Sequence, residues 1–81
     1  MPCKRVEFTF SGNQVKEPVI FQLGHKFPVI TNIRRAQIED DLGWVVLELD
    51  GEIEDIDSAL DWVRSMGITV RSIEGDIVAG G

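Results

Sequence analysis

Apolar residues recur along this chain with two periods, every second residue or every third and fourth, and the changes of period mark out its elements. From Lys4 to Ser11 the chain alternates, with Val6, Phe8 and Phe10 on one side and Arg5, Glu7 and Thr9 on the other. That is the pattern of a half-buried strand. Ser11-Gly12-Asn13 breaks it. From Pro18 to Phe27 the period lengthens, and Val19, Ile20, Leu23 and Phe27 form a helical stripe. Pro18 suits the first helical position, where a missing N–H costs nothing. Gly24 weakens the interior, and Pro28 ends the helix, because the residue before a proline avoids helical geometry.

Two strands follow, Ile30 to Asp40 and Gly43 to Asp50, joined by the turn-rich Asp41-Leu42-Gly43 in an antiparallel hairpin. The second strand alternates cleanly: Val45, Leu47 and Leu49 face one way, Trp44, Val46 and Glu48 the other. The first does not, since the alternation that puts Ala36 and Ile38 on the apolar face puts Arg34 there as well. Broken local rules concentrate at functional or strained sites. Glu52 to Met66 is the firmest helix, with Ile56, Ala59, Leu60, Val63 and Met66 on one stripe and Trp62 at its edge. Acids crowd its first turns, where the helix dipole favours them, and Gly67 suits a left-handed cap. Ile68 to Ile73 is the last strand.

The order strand, helix, strand, strand, helix, strand predicts an α+β fold. Right-handed crossovers then give a four-stranded antiparallel sheet with both helices on one face, in spatial order 4-1-3-2. The predicted core is Val6, Phe8, Phe10, Val19, Leu23, Ala36, Ile38, Val45, Leu47, Leu49, Ile56, Leu60, Val63 and Val70. The opposite face carries Glu7, Thr9, Arg35, Gln37, Trp44, Val46, Glu48 and Arg71. Trp44 and Val46 make that face too apolar to stand simply in water, so an interface through Trp44, Val46 and Arg35 is expected.

With 81 residues the chain is expected to be one domain, 1–81, burying only about 60–65% of its unfolded surface. Fourteen acids against eight bases give a net charge of −6, which disfavours a polyanionic partner such as nucleic acid. Sheets of this kind that bind RNA carry aromatic pairs on their central strands; Glu7 and Thr9 stand there instead. The adjacent Arg34 and Arg35 could fork onto a carboxylate, or serve only as edge-strand charges. Asn32 could hydrogen-bond a ligand, or simply begin a strand. Cys3 is the only cysteine, which excludes an internal disulfide and makes a reducing cytoplasm the default. No apolar run reaches the length needed to span a bilayer. The acids between Asp50 and Asp61 miss the spacing of a calcium loop, and His25 has no companion at ligand spacing. No metal and no catalytic constellation is expected.

Thr31-Asn32-Ile33, then Ala36-x-Ile38, Gly43-x-Val45-x-Leu47-x-Leu49-x-Gly51, Ala59-Leu60 and Gly67-Ile68-x-Val70, form an ordered set that resembles the NIL domain. The resemblance covers roughly residues 4–75 and implies a ferredoxin-like, ACT-like fold. NIL domains occur at the C-terminus of methionine-importer ABC ATPases, where they dimerise, bind methionine and inhibit transport. They also precede paired 4Fe-4S cluster motifs in proteins of sulfur assimilation. The run Ile33 to Ile38 and the helix Ser58 to Gly67 look more like the second setting. Any cluster would then sit in an adjoining domain, with no cofactor in this chain. Asn32 matches the motif asparagine that lines the methionine site in transporter members; Arg34 stands where the namesake run has Leu. The resemblance thus implies a non-catalytic, cytoplasmic ligand-sensing domain for a methionine-like amino acid, with its site at Asn32 and Arg34 and a homodimer pairing edge strands. The alternative is an interaction module that docks an iron–sulfur domain or a sulfur-assimilation enzyme through the Trp44 face.

Overall fold

The computed structural model describes residues 2–73; residue 1 and residues 74–81 of the expected 1–81 domain lie outside the described residues. The elements are β1 (Cys3–Ser11), a 3-10 turn (Gly12–Lys16), α1 (Val19–Lys26), β2 (Ile30–Ile38), β3 (Leu42–Asp50), α2 (Ile53–Ser65) and β4 (Thr69–Ser72). The strands form one antiparallel sheet in the order β2-β3-β1-β4, the predicted topology read from the other edge. Buried residues of both helices join Val6, Phe8, Phe10, Val45, Leu47 and Leu49 in a single core. This is a ferredoxin-like α+β fold.

The pairing of β1 with β3 is unbroken from Cys3↔Asp50 to Ser11↔Leu42. It lines up Val6 with Leu47 and Phe8 with Val45, and all four are buried. Phe8 and Phe10 meet edge to face at 6.3 Å, a favoured aromatic geometry. On α2, Ile56, Ala59, Leu60 and Val63 are buried along one stripe. Gly67 closes the helix with φ +83°, donating its N–H to the Arg64 carbonyl at 2.9 Å.

Several expectations need correction. Pro18 precedes α1 as its cap residue, one position earlier than predicted, and its carbonyl accepts the Gln22 N–H at 3.0 Å. The hairpin link is residues 39–41, because Leu42 and Gly43 already pair within β3. The break after β1 is a 3-10 turn held by Gln14. Its Oε1 accepts the Ser11 N–H at 3.0 Å and its Nε2 donates to the Met66 carbonyl at 3.2 Å, so one side chain ties the turn to the end of α2.

The larger correction concerns the core. Ala36 and Ile38 were expected inside, yet both are exposed, Ile38 at 54%. β2 is the edge of the sheet, and neither residue joins the core that buried residues of α1 and α2 build with β1 and β3. Val70 is half-buried. Val29 and Ile68, at the entrances to β2 and β4, are buried in their place.

Candidate functional site

β2 carries a bulge. Ile33 pairs with Leu47 and Arg35 with Val46, so Arg34 is left over between them. A bulge inserts one unpaired residue and locally increases twist. Here it reconciles two runs of opposite parity. Ile33, before the bulge, pairs with the core residue Leu47, and Ala36, after it, pairs with Val45. Arg34 is therefore excused from the alternation and does not occupy a core position. The apparent fault in the pattern is a local device of the strand.

The sheet face turned away from the helices is built in cross-strand rows. One row runs Asn32–Glu48–Arg5, the next Arg35–Val46–Glu7–Arg71, the third Gln37–Trp44–Thr9–Thr69. Asn32, Arg35, Trp44 and Val46, which the sequence offered as a ligand residue and as interface residues, thus lie on one patch across β2 and β3, with Arg34 at its edge. In the first row Arg5 grips Glu48 through Nη2 and through Nε at 3.2 Å, both to Oε2. That hydrogen bond is the main cause holding the Glu48 carboxyl below its ordinary value; partial burial opposes it, and the charges of Arg5 and Arg34 assist. Arg34 is thus close enough to act on Glu48. In the second row Arg71 binds Glu7 at 3.0 and 3.1 Å. The Arg35 guanidinium lies 5.9 Å from the Trp44 ring centre, within cation–π range. Among the described residues neither Arg34 nor Arg35 has an ion-pair partner.

Glu48 is the residue that sequence reasoning missed as part of the site. Its place on the outer face was legible from the alternation of β3. Its position between Asn32 and Arg5 depends on the register of three strands.

The other candidates fall elsewhere. His25 stacks on Phe21 at 5.6 Å along the exposed side of α1. The Cys3 thiol is pushed up, first by burial and then by the charge and hydrogen bonding of Asp50, so it stays protonated at neutral pH and is a weak nucleophile. Among the described residues no group of three His, Cys, Asp or Glu side chains could hold a metal, and no helix is long and apolar enough to cross a membrane. An apolar cavity of about 190 Å³ opens between the start of α1 and the sheet, beside Phe10, Ile20, Phe21, Ile38 and Val45. It lies on the helix side, and none of the outer-face residues lines it.

Sheet order, register and two helices on one face define a ferredoxin-like domain, a class that hosts many unrelated functions. Its kind is settled by sequence comparison: the NIL domain family matches residues 4–72, and the chain belongs to that family. It is similar to the methionine import ATP-binding protein MetN of Helicobacter pylori, at 28% identity over 69 residues covering 80% of this chain and 21% of that protein. It is also similar to the methionine import ATP-binding protein MetN 3 of Shouchella clausii, at 32% identity over 75 residues covering 88% of this chain and 22% of that protein. The chain thus spans about a fifth of the length of these curated relatives. Among solved structures, the C-terminal domain of an ABC transporter ATP-binding protein from Enterococcus faecalis superposes with a TM-score of 0.80 at 25% identity, covering 90% of this chain and 86% of that one. The designed protein Ferredog-Diesel, with a TM-score of 0.54 and 18% identity over 91% of this chain and 85% of its own, shares the fold alone.

Proposed function

We propose that the chain is a non-catalytic regulatory domain that binds a methionine-like amino acid at Asn32, Arg34 and Glu48, in the setting of methionine import. The methionine import ATP-binding proteins related to it support the ligand class and the setting. The observation that carries the site is the juxtaposition of three complementary groups beside an open sheet edge. A free amino acid presents a carboxylate and an ammonium on adjacent atoms. Arg34 offers a guanidinium with no ion-pair partner among the described residues, suited to the carboxylate. Glu48 offers a carboxylate whose Oε2 is taken by Arg5 and whose Oε1 remains for the ammonium. Asn32 carries both a donor and an acceptor, and Ile30, 62% exposed at the end of the same face, gives the thioether an apolar surface. Such a domain needs no metal or prosthetic group, and regulation of an ATP-binding subunit places it on the cytoplasmic side.

Ligand binding shifts a regulatory equilibrium only through differential affinity for its states, so affinity is the first quantity to measure. Titration calorimetry with methionine and homocysteine, with leucine as the comparison, should show heat for the sulfur amino acids that Asn32→Ala reduces. No heat and no thermal shift at millimolar ligand would sink the proposal. Equal binding by Asn32→Ala would move the site elsewhere.

A further inference from the structure

We propose that the free edge of β2 is a docking site for an extended peptide segment in which apolar and acidic residues alternate, added as a fifth strand. The inference does not require the amino-acid reading, although both draw on Arg34. It rests on three features of β2 that agree with one another.

The first is the edge itself. β2 ends the sheet order, spans nine residues, and is exposed or half-exposed throughout. An edge strand keeps every second N–H and C=O unpaired and directed outward, a template for another strand. The second feature is charge. From Ile30 to Ile38 there is no acid, although the chain carries −6 overall. Arg34 and Arg35 sit at the middle of the strand with no ion-pair partner among the described residues. The other described arginines are engaged: Arg5 with Glu48, Arg64 with Asp61, Arg71 with Glu7. The third feature is on the helix side. Ile33 and Ile38 are 53% and 54% exposed there, and the apolar cavity, lined by both Ile38 and Phe21, opens between Ile38 and α1.

A strand laid along β2 would send alternate side chains to these two surfaces. One set would cover Ile33 and Ile38 and reach the cavity; the other would lie beside Arg34 and Arg35. The chemistry that satisfies both at once is apolar on one face and acidic on the other. A second copy of β2 is a poor occupant. Antiparallel pairing of the strand with itself at full overlap brings Arg34 against its own copy, and like charges across a strand pair repel.

The test is an amide-resolved NMR titration of the full chain with an acetylated and amidated nonapeptide of alternating valine and glutamate, matched to the nine residues of β2. The comparison peptide alternates valine and lysine. The acidic peptide should shift the amides of residues 30–38, and binding should weaken with added salt. The double variant Arg34→Glu/Arg35→Glu should weaken it roughly tenfold or more and bind the lysine peptide instead. Both arginines are exposed, so the variant's urea midpoint should match the parent's. If that midpoint falls, Arg34→Gln/Arg35→Gln replaces it, with the same loss expected. The proposal is overturned by equal binding of the two peptides, by shifts confined to other strands, by no shift at millimolar peptide, or by self-association of the chain through β2 that the acidic peptide does not displace.

Discussion

The same substitution at two glycines should change stability in opposite directions. Gly24 lies inside the eight-residue α1 and is exposed. A Cβ there would meet nothing closer than the Val29 carbonyl oxygen at 3.9 Å and Thr31 Cγ2 at 4.0 Å, both ordinary contacts. Gly24→Ala therefore adds no strain. It removes the excess backbone freedom of glycine from the unfolded chain, a gain of about 0.5–1 kcal/mol. For a domain of this size that is a rise in Tm of roughly 2–8 °C, or a urea midpoint higher by about 0.5–1 M at a slope near 1 kcal/mol/M.

Gly51, where β3 hands over to α2, is buried. A Cβ there would stand 3.1 Å from both the Pro28 carbonyl oxygen and Val29 Cγ1, and 3.5 Å from Val29 Cα. Val29 is itself 5% exposed within the core and has no room to swing away. Overpacking of this kind costs about 1–3 kcal/mol, more than the entropy gain returns, so Gly51→Ala should lower Tm. Urea melts of both variants at unchanged slope decide the matter. A Gly24→Ala protein less stable than the parent, or a Gly51→Ala protein more stable, would refute this account of the α1–β2 junction.

Three further outcomes follow from the packing and the charges. Leu47 is fully buried between β1 and β2, so Leu47→Ala should cost about 2–5 kcal/mol, read as a lower urea midpoint. Glu48 has a folded-state pKa depressed mainly by the Arg5 hydrogen bond. Its contribution to stability is therefore present above the unfolded value and lost as pH falls through the folded one. Arg5→Ala should lower Tm at pH 7, and the gap to the parent should narrow as the pH drops below the ordinary glutamate range, as a Tm-against-pH series would show. The raised Cys3 pKa means that iodoacetamide at pH 7.5 should label the native chain more slowly than the urea-unfolded chain, by mass spectrometry. Equal rates would show that Asp50 and burial do not restrain the thiol.

β3 and α2 were legible in the sequence because each keeps one period from end to end and buries one side completely. β2 was not. A period of two carried through Ile33-Arg34-Arg35-Ala36 puts Arg34 with Ala36, whereas the strand spends one extra residue there. The signal for this was present: two polar residues in a row between two apolar ones that both belong to the same face. The exposure of Ala36 and Ile38 was not legible at all, since it depends on how far the helices reach across the sheet. Of the candidate site, Asn32, Arg34 and Trp44 could be singled out as residue types. Their assembly with Glu48 and Arg5 on one patch needed the register of β1, β2 and β3.

The bulge at Arg34 also separates what the strand must conserve from what it is free to vary. Every other position in β2 from Ile30 to Ile38 has a partner across the ladder, so its side chain is committed to a face by the residue opposite. Residue 34 answers to no partner. A change there leaves the register of Ile30–Ile33 and of Arg35–Ile38 intact, and even its removal would leave the two runs on the faces they already occupy. The sheet thus holds one position where new ligand chemistry can be tried without disturbing the scaffold, and it lies beside Asn32, at the rim of the patch proposed to bind.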